Sequence, residues 1–281
     1  MSDRTLHPQQ RAIIADLGVA QRFDATVEIA TRIEFLASVL RRSGLRALVL
    51  GISGGVDSLT AGRLCQRAVE QVRAAGCDAT FWAMRLPYGE QHDAVDAEAA
   101  LTFIRPDRVV RVDIQPAVDA TLRALADAAF EFSDAAAADF VAGNVRARQR
   151  MIVQYAVANA EHGLVVGTDH AAEAVMGFFT KHGDGACDVA PLAGLTKRRV
   201  RAIATALGAP ERLVSKVPTA DLEALRPMQP DETVLGVRYE AIDDFLEGHR
   251  VAATDANRIV DAFQRTEHKR TGPATPRLDR G

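Results

Sequence analysis

A chain of 281 residues with 48% hydrophobic content can bury the core of one large α/β domain or two small ones. Its 34 basic and 37 acidic residues leave a net charge of −3, so no basic excess points to nucleic acid. Three scattered cysteines (Cys65, Cys77, Cys187) give no metal-binding cluster and fit a reducing compartment. No apolar run reaches the ~18 residues of a membrane span, and the polar stretch Met1–Gln10 lacks a signal-peptide core, so a soluble, cytoplasmic protein is expected.

In chain order, His7–Leu17 reads as a short helix, broken over Gly18–Phe23. Asp24 is a candidate N-cap for a long amphipathic helix, Ala25–Arg42, which Ser43-Gly44 ends. Ala47-Leu48-Val49-Leu50 is a buried strand. A helix beginning near Leu59 runs to about Ala75, and Gly76 stops it. Ala79–Leu86 is a second strand, Gln91–Ile104 a helix, Arg108–Val112 a third strand and Pro116–Ala128 a helix. Asp134–Glu161 is a long helix, with Gly163 closing it, and Leu164–Gly167 a fourth strand. Arg198–Leu207 is a helix, and the stretch Ser215–Glu232, rich in proline and charge, reads as a mobile loop. Tyr239–Leu246 and Asp255–Glu267 are late helices, followed by a basic tail from about His268. No linker or repeat interrupts the pattern, so a single domain over 1–281 is expected. Alternating strands and helices predict a doubly wound parallel sheet with helices on both faces, whose ligands sit at the carboxyl ends of the strands.

One such end carries Gly51-Ile52-Ser53-Gly54-Gly55-Val56-Asp57-Ser58. A strand, a tight loop of small residues and a helix N-terminus aim backbone N–H groups at one place, which suits an anion. The common triphosphate loop ends in Gly-Lys-Ser/Thr; here Val56 and Asp57 stand in place of the glycine and lysine. An acid beside a phosphate makes sense with a cation between them, and Mg²⁺ is the natural choice. Read without a ligand, the loop is a glycine-rich turn with Asp57 or Ser58 as N-cap.

Ser-Gly-Gly-Xaa-Asp-Ser resembles the pyrophosphate-binding loop of the ATP pyrophosphatases (PP-loop superfamily). Further along, Thr168-Asp169-His170-Ala171-Ala172-Glu173 follows the fourth strand, and Gly177–Asp188 comes next. With Arg85–Gly89, Asp139–Arg150, Pro218–Glu223 and Glu267–Arg270, these stretches run in order over nearly the whole chain. Together they resemble the bacterial ammonia-dependent NAD synthetases, with an adenine nucleotide alpha hydrolase-like fold. The resemblance implies ATP, deamido-NAD⁺ and ammonia as substrates, an adenylated carboxylate as intermediate, and NAD⁺, AMP and pyrophosphate as products. It implies Mg²⁺ on Asp57 and Glu173, and a homodimer with the deamido-NAD⁺ pocket at the interface, Asp134–Glu161 being a plausible part of it.

On the ATP side the resemblance implies contacts from loop residues Gly51, Ile52, Ser53, Gly54, Gly55, Val56, Asp57 and Ser58, and from Arg85, Thr168, Lys197 and Thr219. Bare sequence reads Glu173 as a first-turn acid, Thr168 or Asp169 as an N-cap, and Arg85 as a solvated strand-end cation. Lys197 at a helix start is mildly unfavourable, which lends weak support to a bound phosphate. For deamido-NAD⁺ the resemblance implies Phe140, Asn144, Arg148, Lys181, Asp184, Asp188, His268 and Lys269. The first three, spaced by four, share one helix face. Asp184 or Asp188 is expected to take the proton of the incoming ammonia. At His182 and Ala186 the family more often has tyrosine and glycine, which puts the local backbone in question.

Other readings are a PP-loop enzyme acting on a different carboxylate or on tRNA, and a nucleotide sensor without catalysis. A tRNA-modifying enzyme needs a basic RNA surface, and a thiolase of that kind reactive cysteine pairs, neither visible here. The second has no use for a converging acid pair. A glutamine-dependent relative carries an extra amidase domain, for which this chain has no room beside the synthetase fold, so free ammonia is the expected donor unless a separate subunit supplies it.

Overall fold

The computed structural model describes residues 8–89, 94–219, 225 and 229–276. The described elements are α1 (Pro8–Asp16), α2 (Ala25–Ser43), β1 (Ala47–Gly51), α3 (Val56–Ala74), β2 (Thr80–Arg85), α4 (Ala94–Ile104), β3 (Arg108–Arg111), α5 (Gln115–Asp127) and α6 (Ala135–Ala160). After them come β4 (Gly163–Val165), α7 (Ala171–Met176), α8 (Lys197–Ala206), α9 (Glu211–Val214), α10 (Asp231–Leu235), α11 (Tyr239–Leu246), α12 (Ala253–Arg265) and α13 (Glu267–Arg270). The expected helix start at Gln91, the reading of His7, and much of the 215–232 loop lie outside the described residues.

The sheet order is β3-β2-β1-β4, with every pair parallel. The chain leaves β1 in one direction through β2 and β3, then returns to β1's other side as β4. That reversal is the topological switch point of a doubly wound sheet, where ligands bind beyond the strand carboxyl ends.

β1 shows why this sheet must be covered on both faces. Leu48 and Leu50 face a core shared with α2, α3 and α8. Val49, on the opposite face, packs with residues of β2, α5 and α6. A separate cluster from α1, α7, α11 and α12 holds the C-terminal helices together.

Helix ends follow local chemistry. Asp24 accepts from the Thr26 and Val27 amides at the start of α2, and Gly44 takes the left-handed conformation at its end (φ 68°). Asp134 caps α6 through the Ala137 amide.

Three expectations are corrected. Helix α3 begins at Val56 rather than near Leu59, with Gly55 as a cap that makes no side-chain bond. Neither Asp57 nor Ser58 is therefore an N-cap; both sit in the first helical turn and line the cavity beyond β1. The left-handed residue after α6 is His162 (φ 52°), and Gly163 opens β4 instead of closing the helix. A Cβ on Gly163 would lie 2.7 Å from the Ala47 Cβ, so strand pairing decides that position.

Candidate active site

Beyond the switch point opens a cavity of about 520 Å³. The loop after β1 forms one wall, the β4–α7 connection the floor, and α6 with the segment before α8 the other wall.

The loop is braced from several sides. Gly54 has φ +91°, and a Cβ there would meet the Ala97 backbone N at 2.8 Å, so both the dihedral and the packing of α4 require glycine. Ser58 Oγ accepts from the Ser53 amide and donates to Gly55 O, while Ser53 Oγ accepts from the Gly55 amide. Gln154 Oε1, projecting from α6, accepts from the Gly51 amide at 2.8 Å. Most of the loop thus faces the cavity, Gly54 turning to α4 instead.

The floor concentrates charge. Lys197 Nζ lies 2.7 Å from Asp57 Oδ2 and 3.9 Å from Glu173 Oε1. The loop has no lysine of its own, yet α8 delivers one to it from far along the chain. Lys197 sits at a helix start for a reason sequence could not supply: its ammonium is almost fully buried against Asp57.

His170, fully buried, joins the same group. Its Nε2 is 3.5 Å from Asp57 Oδ1 and 3.5 Å from Glu173 Oε1. It is also the N-cap of α7, accepting the Glu173 amide on Nδ1. That corrects the expectation of Thr168 or Asp169 in this role.

Burial and neighbours set the ionisation of the floor. Burial would push Asp57 up, but Lys197 and His170 outweigh it and hold Asp57 well below the usual carboxylate range. Glu173 is pushed up to about 8 by burial and by the nearby Asp57 charge, against the pull of His170 and Lys197. Burial acts to lower Lys197, and the two acids raise it above the ordinary lysine value. Asp169 is raised to about 7, first by burial and then by Asp184.

A divalent cation fits this donor set. Asp57 Oδ1 is buried without a hydrogen-bond partner, and single ligand atoms of Asp57, His170 and Glu173 lie within 4.8 Å of one another. Two carboxylates from separate elements, open toward a phosphate loop, match the few protein ligands that Mg²⁺ accepts.

On the ATP side, Thr168, Lys197 and Thr219 line the cavity with the loop. Arg85 does not: it is buried and paired with Glu98 of α4 at 3.0 Å, which corrects its reading as a solvated strand-end cation. Opposite the loop, Phe140, Asn144, Asp184 and Lys269 line the wall. Asn144 Oδ1 accepts from Thr180 Oγ1 at 2.9 Å, and Asp184 Oδ1 accepts from the Thr180 amide at 2.8 Å. Burial raises Asp184 above the ordinary aspartate value, against the hydrogen bonds it accepts.

Arg148, Lys181, Asp188 and His268 are not among the residues lining the cavity. Arg148 donates to Lys181 O, and Lys181 Nζ donates to His268 O. Lys269 Nζ donates to Gly177 O and Phe179 O, both at 2.8 Å, fastening α13 to the wall. Asp188 faces the sheet, where its Oδ2 accepts from the Val165 amide at 2.7 Å. His182 adopts φ 60°, in the left-handed region. Sequence reasoning passed over Gln154 and the roles of His170 and Thr180. His170 was legible as a donor three residues before Glu173, whereas nothing local marked Gln154.

Fold and site together define an α/β ATP pyrophosphatase of the PP-loop kind: a parallel sheet whose first strand delivers Ser-Gly-Gly-Val-Asp-Ser to the switch point, opposite a second acid. A family model described as NAD synthase matches residues 28–273, and the chain belongs to that family. An NH(3)-dependent NAD(+) synthetase from Streptomyces coelicolor is 62% identical over 276 residues, covering 98% of this chain and 100% of the relative. The crystal structure of an NAD+ synthetase from Burkholderia pseudomallei superimposes with a TM-score of 0.83 at 57% identity, covering 97% of this chain and 100% of that one. An NMN synthetase from Francisella tularensis gives a TM-score of 0.79 at 32% identity, covering 92% and 100% of the two chains.

Proposed function

We propose that this protein amidates deamido-NAD⁺ with ammonia at the expense of ATP. The nicotinate carboxylate oxygen bonds to the α-phosphorus, the bond to the β-phosphate bridging oxygen breaks, and pyrophosphate leaves. Ammonia then bonds to the acyl carbon, the acyl–phosphate bond breaks, AMP leaves, and the nitrogen gives up a proton. NAD synthetases at about 60% identity over nearly the full chain support the reaction class. The observation that carries the reading is geometric. One cavity holds the pyrophosphatase loop, two convergent acids, and an opposing wall bearing Phe140, Asn144 and Asp184.

Asp57 and Glu173 would hold a Mg²⁺ ion, whose charge, when bound, offsets that of the departing phosphates. Ser53, Ser58 and the first-turn amides of α3, Val56 to Ser58, grip the phosphate oxygens, with Lys197, Thr168 and Thr219 beside them. Arg85 fits better as a brace than as a direct contact, because Glu98 already engages its guanidinium. Phe140 offers a stacking face, and Asn144 and Lys269 offer polar contacts to the dinucleotide. Arg148, Lys181, Asp188 and His268 support that wall. Asp184, which lines the cavity and is raised above its ordinary value by desolvation, is the better placed of the two aspartates to receive the ammonia proton, since Asp188 turns to the Val165 amide instead.

The protein works as one synthetase domain, and as a homodimer. Two large apolar side chains of α6, Phe140 and Ile152, stand 60% and 52% exposed, which suits a partner surface. Among the described residues no helix is long and apolar enough to cross a membrane, and the three cysteines are free, as suits the cytoplasm.

The test is to incubate the purified protein with ATP and Mg²⁺ and follow AMP. Turnover that requires both deamido-NAD⁺ and ammonium is expected; turnover with the mononucleotide acid in place of deamido-NAD⁺ would reassign the substrate.

A further inference from the structure

The crevice opens where two strands part. β1 pairs with β2 as far as Gly51 and Met84, but with β4 only as far as Val49 and Val165. Beyond that point Val166 bridges to Val189, and the Gly167 amide donates to Val189 O. The backbone amides of a strand point alternately to its two neighbours. The Ile52 amide reaches Met84 O on the β2 side, so the Gly51 amide points to the side that β4 has left. An amide unpaired there would weaken the strand end that carries the loop. Gln154 of α6 takes it, with Oε1 2.8 Å from the Gly51 nitrogen. Because a backbone amide only donates, the carboxamide atom facing it is the oxygen. Its Nε2 donates to Arg150 O, one turn back in the same helix, at 3.4 Å.

α6 holds two strand ends in this way. Arg150 Nε donates to Leu86 O just past β2, and Gln154 holds the end of β1. The same helix presents Phe140, Asn144 and Ala147 to the cavity. Phe140 lies about 21 Å from Gln154 along the helix axis. One rigid element therefore carries the dinucleotide wall at one end and is bonded to the phosphate loop at the other.

We propose that Gln154 is a positioning residue: its Oε1 seats the first residue of the pyrophosphatase loop against α6, and so sets the approach of the dinucleotide carboxylate to the α-phosphorus of ATP. This rests on the two-substrate reading given above. The step it governs is the first one, in which the carboxylate oxygen bonds to the α-phosphorus and pyrophosphate leaves. Its effect passes through Gly51. A misplacement of about 1 Å between reacting groups can cost roughly 100-fold in rate.

The test is the exchange of labelled pyrophosphate into ATP, with Mg²⁺ and deamido-NAD⁺ but no ammonium, which reads the first step alone. Gln154→Met keeps the side chain's length and drops the acceptor. Gln154→Glu keeps the acceptor and places a charge near the phosphates. Gln154→Met should lower the maximal exchange rate about 10- to 100-fold, with KM for ATP and for deamido-NAD⁺ within about threefold of wild type. Gln154→Glu should recover most of that rate while KM for ATP rises, because its carboxylate repels the phosphates. Both variants should melt within a few degrees of wild type.

A wild-type maximal rate in Gln154→Met, or a loss confined to KM, would overturn the proposal. So would a Gln154→Glu variant as slow as Gln154→Met, since the acceptor would then not be what matters. Wild type tells this failure from a failure of the function itself. If wild type exchanges no pyrophosphate in the presence of deamido-NAD⁺, the two-substrate reading fails and takes the positioning role with it. If wild type exchanges and Gln154→Met matches it, the positioning role alone fails.

Discussion

At the scale of single residues, the cavity floor is a balance of buried charges. Lys197 is worth little as a surface cation but much here, because removing it leaves Asp57 and Glu173 without an ammonium between them. Breaking a buried pair by deleting one partner costs about 3–5 kcal/mol, whereas deleting both is often close to neutral. Lys197→Met should therefore lower the urea midpoint sharply in metal-free buffer, and Lys197→Met with Asp57→Asn should recover much of the loss. A double variant no more stable than the single one would contradict the pairing. Gly177 gives a second residue-scale expectation. It has φ +61°, and a Cβ would come within 2.3 Å of the Thr266 Cβ. Gly177→Ala should destabilise by more than the roughly 1 kcal/mol of an ordinary left-handed position, and should loosen α12 and α13 from the wall, read as faster amide exchange there.

At the scale of elements, the sequence was most legible where structure is local. Asp24, Asp134 and Gly44 mark helix ends because a cap needs only neighbouring backbone groups. Legibility failed where a partner lies far along the chain. Nothing near Gly163 reveals that Ala47 packs on it, and nothing near Lys197 reveals Asp57. Residues 51–58 read as a loop from their glycines, but the start of α3 at Val56 leaves no mark there, because Gly55 caps without a side chain.

Asp107 shows how one carboxylate ties elements together. It accepts from Arg73 and Gln66 of α3 and from the Phe81 amide of β2. Burial pushes its pKa up, but Arg73, the Phe81 amide and Gln66 outweigh that and hold it below the usual value. A depressed folded-state pKa gives stability that is complete above the unfolded value and disappears as pH falls through the folded one. Asp107→Asn should thus be less stable by about 2 kcal/mol near neutral pH, and the gap should close toward about pH 3. A gap independent of pH would show that charge is not what binds these elements.

At the scale of the whole molecule, the doubly wound fold was legible from the alternation of strands and helices, and the site's address followed from it. The sequence could not give the strand order. Only β3-β2-β1-β4 explains why the loop after β1 and the acid after β4 meet, since the chain reverses between those two strands. The homodimer assignment is checked by light scattering: wild type should run as a dimer, and Ile152→Asp on the exposed face of α6 should shift it toward monomer. An Ile152→Asp dimer as tight as wild type would move the interface elsewhere.

The central claim is that the loop at 51–58 and its acid pair release pyrophosphate, not a terminal phosphate. It is tested most directly by the nucleotide and phosphate products of one turnover, separated after reaction with ATP, Mg²⁺, deamido-NAD⁺ and ammonium. One AMP and one pyrophosphate per NAD⁺ formed, abolished by Asp57→Ala, is the expected result. ADP with inorganic phosphate, or undiminished activity in Asp57→Ala, would contradict it.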